Sequence, residues 1–281
     1  MPIAMKATII MVITMLELDF MRTALIAAAA VSLVAGPVGY FLVLRGQTFA
    51  GHALAHVGFT GATGAALIGV SPLAGLFTLT IAAGLGMGLF GARLANRDIA
   101  IGMVLALALG FGLLFLHFFK SSATQATALL FGNILAISDQ TLLMLVVTSI
   151  VCLALLLFIS RPLLFASLQP ELAEAKGVRI NLLSTVFMML VALATAATSQ
   201  IVGVLLVFAL MVGPGAAALR LCKSVLAGLV TAAVLALIES WAGLTLAYAT
   251  DWPVSFWITA LAVAIYLAAA YSSQVRHGQK A

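Results

Sequence analysis

A chain of 281 residues that is 64% hydrophobic and only 7% charged, at mean hydropathy +1.26, is excluded from the soluble globular class, where about a quarter of residues carry charge. Its net charge of +5 is scattered as single Lys and Arg residues over short connecting loops. That pattern fits the positive-inside bias of membrane proteins and not the compact basic patch of a nucleic-acid binder. Cys152 and Cys222 lie far apart, without CxxC or zinc-ribbon spacing, and receive no redox or metal role.

The N-terminal stretch "ATIIMVITML" (7–16) is apolar but too short to span a bilayer, and Glu17 and Asp19 follow it with no small-residue cleavage site. It reads as an interfacial segment within residues 1–20, with Met15 and Met21 as further possible starts. Apolar runs follow at 22–44, 49–69, 72–92, 99–119, 141–160, 182–198, 201–219, 225–249 and 254–272. The expected fold is therefore all-α, a single polytopic integral membrane helical bundle over residues 1–281 with 8 or 9 crossings. Only Ser199 and Gln200 separate the runs at 182–198 and 201–219, and the second contains "GPG" (213–215). A proline between glycines frees backbone groups, so this pair of runs is expected to include a broken or re-entrant element.

Placing Arg45 in the cytoplasm puts Arg93, Arg97, Arg161, Lys176, Arg179, Arg220, Lys223, Arg276 and Lys280 there too. Only Lys6, Arg22 and Lys120 then lie outside, the C-terminus is cytoplasmic, and "SDQ" (138–140) and "TDWP" (250–253) face out. The longest cytoplasmic segment, 161–181, carries the signals of a short helix: Pro170 in its first turn, Glu171 and Glu174 at its positive end, and Lys176 before Gly177 as the stop. A solvated connector and a docking element are equally compatible with those signals.

In "GHALAHVGFTGATGA" (51–65), His52 and His56 lie one turn apart on one helical face. Neutral imidazole is a common ligand for ions such as zinc. Polar groups within a membrane usually face an interior pathway. Gly58, Gly61 and Gly64, with Ala62 and Ala65, would let neighbouring helices approach the other face. The competing reading is a hydrated pair near the cytoplasmic boundary. "HALAH" lacks the glutamate that a zinc peptidase requires. Among other groups, Glu239 sits midway through an apolar helix and is the candidate third ligand. Asp251, before Trp252-Pro253, is a helix cap or a gate; His117 reads as interfacial, His277 as tail, and the scattered Met residues as packing.

The segment "GYFLVLRGQTFAGHALAHVGFTGATGAALIG" (39–69) resembles the metal-ion permeases of ABC importers, the zinc and manganese uptake group, whose members carry a GDxxxH motif here. In the same order, "LLFGNILAIS" (129–138), "SLQPELAEAKGV" (167–178) and "VGVLLVFALMVGPGAAALRL" (202–221) are similar to further motifs of that family, between about 20 and 272. The resemblance implies a two-fold permease dimer in a bacterial inner membrane, a cytoplasmic ATP-binding subunit on each half, and an extracytoplasmic protein that delivers the ion. It implies that "PELAEAKG" docks in the ATPase, with Glu171, Ala173 and Gly177 at the matching positions. No GxxxxGK[ST] is present, so ATP hydrolysis is expected in the partner, with no catalytic residue and no permanently bound cofactor here.

One departure stands out. His52 replaces the family's Asp, whereas His56 matches its His. A nitrogen-rich pair favours zinc over manganese as the transported ion, with Glu239 supplying the missing carboxylate. A manganese-preferring permease is the alternative. A proton-driven secondary transporter and a membrane metalloenzyme are the rivals from other classes.

Overall fold

The computed structural model describes residues 15, 17–90, 97–118 and 130–278. The helices are α1 (Asp19–Leu44), α2 (Thr48–Leu67), α3 (Pro72–Phe90), α4 (Arg97–Phe118), α5 (Asp139–Leu168), α6 (Pro170–Ala175), α7 (Ile180–Val202), α8 (Val207–Leu221), α9 (Val225–Thr250) and α10 (Val254–Gly278). A 3-10 turn, Ile134–Ala136, precedes α5, and the described residues contain no strand. Among the described residues seven helices are long and apolar enough to cross a membrane; α8 is apolar but shorter. The histidine helix α2 has the length of a span, its hydropathy lowered by His, Thr and Gly. The chain is thus an all-α, multi-pass membrane protein. The expected interfacial segment falls almost wholly outside the described residues.

Lipid offers no hydrophobic drive between helices, so they associate by close van der Waals packing at small residues. Two helices form the centre. Helix α1 packs against α9, α8, α5 and α7, and α7 also packs against α3 and α2. A Cβ on Gly36 would overlap the backbone of Ala232, one on Gly39 that of Met211, and one on Gly215 that of Gly39 and Tyr40. Lower on α9, Gly228 makes room for the Tyr40 ring. The α1–α9 contact is fastened by Ser32 Oγ to Ser240 Oγ at 2.6 Å and by Trp241 Nε1 donating to Leu25 O at 3.1 Å. Gly84 and Gly88 do the same for α3 against Met188, Ala192 and Thr185 of α7.

The expected break within the pair of runs 182–198 and 201–219 is present, at residues 203–206, where Gly203 takes φ +78°. Two details are corrected. Pro214 of "GPG" is not its cause and sits inside an intact α8. The flanking glycines serve helix approach instead, Gly215 against α1 and Gly213 beside Ala262. Helix α7 in turn runs through Ser199 and Gln200 to Val202. Second, residues 161–168 are not loop, because α5 continues past Arg161 and Pro162 to Leu168. The short helix within the remainder is present. Pro170 opens α6, and Gly177 at φ +85° ends it with its N–H donated to Glu174 O.

The connections fall at two ends. Arg45 donates from Nη1 to Ser167 Oγ (3.0 Å) and from Nη2 to Ser184 Oγ (2.9 Å), which places the α1–α2 turn, the end of α5 and the start of α7 together. The other end gathers the 3-10 turn, residues 203–206 and the α9–α10 turn at Asp251, joined by Leu205 N–H to Leu130 O and Ser255 Oγ to Phe131 O.

Gly39→Val should lower the melting temperature and the yield of folded protein in detergent, because overpacking costs about 1–3 kcal/mol and more against backbone. Gly86→Val should leave both unchanged, since a Cβ there meets nothing within 4 Å. Size-exclusion profiles after a temperature series compare the two.

Candidate functional site

Helix α2 begins after a tight turn in which Gly46 adopts φ +63° and Gln47 N–H bonds Leu42 O. One turn in, the rings of His52 and His56 meet edge to face with centroids 4.8 Å apart. His52 is half-buried, flanked by Phe49 (6.4 Å) and by Phe208 (6.1 Å) from the first turn of α8. His56 is buried, 5% exposed, and its Nδ1 has no hydrogen-bond partner. Thr60 Oγ1 donates to His56 O and to Ala108 O of α4, holding the turn that carries His56 against its neighbour. On the other face Gly58 meets Leu76 and Thr80, Gly61 meets Gly75, and Gly64 meets Phe115. The glycines therefore do what the sequence led us to expect: they seat α2 between α3 and α4 while the imidazoles point elsewhere.

Two imidazoles one turn apart can share one ion, at roughly 2.0–2.1 Å per nitrogen for zinc. Among the described residues no three His, Cys, Asp or Glu side chains form a cluster able to hold a metal, so Glu239 stands apart from the pair. Glu239 itself is fully buried in α9, and neither carboxylate oxygen has a partner. A buried polar group without a hydrogen bond is costly, and a charged one far more so. Asp251 is exposed at the C-cap of α9 in the left-handed region, φ 59°. His117 is exposed at the end of α4, and the side chain of His277 lies outside the described residues.

At the Arg45 end, Glu171 and Gly177 of the α6 region are exposed, whereas Ala173 is fully buried and seats α6 on the bundle. Sequence reasoning used Arg45 only as a charge marker. In the structure its Nε also donates to Gln47 Oε1 (3.3 Å) and its guanidinium lies 5.5 Å from the Phe187 ring centre, so it ties the base of α2 to α5 and α7. An arginine followed by glycine between two apolar runs was the available signal. Phe208 against His52 had none, because the contact joins residues distant in sequence.

The ABC 3 transport family matches residues 17–273. The chain is 31% identical over 236 residues to the manganese transport system membrane protein MntC of Listeria monocytogenes, a match covering 83% of this chain and 84% of that protein. It is 31% identical over 263 residues to a Haemophilus influenzae membrane protein named for iron transport, covering 93% and 96%. Its structure superposes on a chain of PsaBC from Streptococcus pneumoniae, solved in complex with Fab, with a TM-score of 0.82 and 26% identity over 92% of this chain and 94% of that one.

Glu239→Leu should raise the melting temperature in detergent. It replaces a buried group without partners, whose desolvation costs about 1–3 kcal/mol, by an apolar one of similar volume. A fall in melting temperature would mean that the carboxyl supports the fold.

Proposed function

The chain belongs to the ABC 3 transport family, and from that premise we propose that it is the permease subunit of an importer for a divalent transition-metal ion. The observation that carries the proposal is the imidazole pair: two rings 4.8 Å apart, one with a buried nitrogen free to ligate, in a helix otherwise built of Ala, Gly, Thr and apolar residues. The ion would be handed on by His52 and His56. Glu239 would add a carboxylate once helix movement brings α9 and α2 together, which is how a transit site releases its ion: its ligands converge only in some conformations. Asp251, exposed on the outer α9–α10 turn, is the candidate gate.

Kinship supports manganese as the cargo, because the MntC relatives and the ScaB protein of Streptococcus parasanguinis, 30% identical, are named for manganese. The zinc reading keeps one specific observation in its favour, the nitrogen in place of a carboxylate at position 52. In this arrangement the Arg45 end is cytoplasmic, as is the C-terminus. Two copies of the chain pair in a bacterial inner membrane, an extracytoplasmic protein delivers the ion, and α6 meets a separate ATP-binding subunit. Support for that docking comes from α6 being a short helix, exposed except at Ala173, at the end with more cations.

His56→Ala and Glu239→Ala should each abolish growth that depends on the transported metal at limiting supply, with membrane levels matched. His52→Asp should retain transport and move accumulation towards manganese relative to zinc; an unchanged ratio would show that position 52 does not select the ion.

Glu171→Arg should uncouple ATP hydrolysis from accumulation without altering the melting temperature, because Glu171 is exposed. Gly177→Asp should do the same with an added loss of about 1 kcal/mol from strain at positive φ. Normal accumulation in the Glu171→Arg variant would remove α6 from the coupling path.

A further inference from the structure

A metal-ligating imidazole is normally aimed by a hydrogen bond, its second nitrogen donating to a carbonyl or carboxylate. Among the described residues neither His52 nor His56 has such a bond from its ring to a protein group. For His52 other rings surround the imidazole instead. It meets His56 at 81° with centroids 4.8 Å apart, Phe208 at 88° and 6.1 Å, and Phe49 at 34° and 6.4 Å. All three separations lie in the range where aromatic pairs attract with a preferred geometry.

The two phenylalanines reach His52 from different supports. Phe49 lies one turn earlier on α2, and its ring covers Gly102 of α4, where a Cβ would stand 3.7 Å from it. Phe208 comes from the first turn of α8, just past the break at 203–206. Its neighbours Val207, Leu210 and Met211 are at most 1% exposed, so the backbone beneath the ring is fixed. The start of α8 is anchored in turn by Leu205 N–H on Leu130 O and by the contact of Gly203 with Gly132. The Phe208 ring itself is 43% exposed and overhangs a groove shared with Thr259, Val263 and Tyr266 of α10. A side chain that open contributes little to the core, so packing alone gives no reason for a ring at 208.

We propose that Phe208 is a positioning residue for metal capture. With Phe49 it holds the His52 imidazole in place, so that a ring nitrogen is presented to an ion shared with His56 before the ion arrives. Ordering the ring in advance removes an entropic cost from binding. A ring held by contacts alone also gives up its ion readily, because no acceptor raises the basicity of the nitrogen. That suits a site which must pass its ion on. The inference rests on the reading that the histidine pair carries a divalent metal.

The test uses the full transporter, purified in detergent without a histidine tag, titrated with CoCl2 and followed by the visible absorption of bound Co2+. His52→Ala identifies the part of the signal that depends on His52. Phe208→Leu keeps apolar bulk and removes the ring; it should raise the Kd of that signal about fivefold. Phe208→Tyr returns a ring and should restore the affinity. In the His52→Asp chain, which has no imidazole to hold, Phe208→Leu should change the Kd by less than about twofold. An equal loss in both chains, no loss in the His52 chain, or failure of Phe208→Tyr to restore affinity overturns the assignment. So does a Co2+ signal indifferent to His52→Ala. Mn2+ and Zn2+ uptake by cells carrying the unaltered transporter is read in parallel. Co2+ affinity that follows Phe208 without uptake of either metal keeps the positioning role and removes the transport reading. Uptake with Co2+ affinity indifferent to Phe208 does the reverse. Elution profiles and melting temperatures certify folding, and at so open a position neither should move.

Discussion

Helices α1 and α8 meet backbone to backbone, because Gly39 and Gly215 leave no side chain between them. In a bilayer this closeness is the main attraction available, since lipid tails solvate Leu and Val as well as a neighbouring helix does. The rest follows from it. Helix α8 has only 15 residues, about 22 Å at 1.5 Å each, less than a bilayer core of about 30 Å. Anchored on α1, it starts within the bundle, and its first turn sets Phe208 against His52. Helix α9 uses the same face of α1 through Gly36 and Ser32, which fixes the turn that carries Glu239.

Polar groups inside the bundle follow one rule, with three exceptions among the described residues. The hydroxyls of Thr63, Thr80, Thr198, Ser199 and Ser240 each donate to a carbonyl one turn back on their own helix, a local solution that needs no partner helix. His56 Nδ1, Ser149 Oγ and both oxygens of Glu239 have no partner. A carboxyl and an imidazole cannot reach their own carbonyl ladder as a hydroxyl can, so their cost is met by structure elsewhere. Keeping an ionisable carboxyl and imidazole in that state is useful only if something else binds them during the working cycle, which is why those two carry the functional reading, whereas the Ser149 hydroxyl is small and neutral.

The spans were legible because their length and hydropathy depend on local composition, and so was α6, whose Pro170 and Gly177 act within a single turn. A break between residues 182 and 219 was legible too, but its position was not. "GPG" looks like an interruption by propensity, yet Pro214 is tolerated inside α8 where its glycine neighbours admit α1 and α10. The true break at Gly203 is set by Gly132, some seventy positions earlier, which no local signal could reveal. Of the site, the histidine pair was legible because both residues share one helix. The burial of Glu239 was legible from its apolar flanks. Its distance from the pair was not, since that depends on the tilt and register of separate helices.

The same long-range logic links the two ends of the proposed function. Arg45 holds Ser167 and Ser184 at once, and Ser167 lies three residues before α6 while Ser184 lies in the second turn of α7. Its Nε holds Gln47, five residues before His52. A guanidinium is planar and rigid, so its donors cannot follow partners that move in different directions. A displacement of α6 that carries the end of α5 away from α7 therefore breaks one of these bonds or drags Arg45 with it. Either outcome reaches the base of the histidine helix through a single side chain, across helices that would otherwise slide past one another on apolar surfaces. Under the transport reading, this is where force applied by a nucleotide-driven partner would enter the metal pathway.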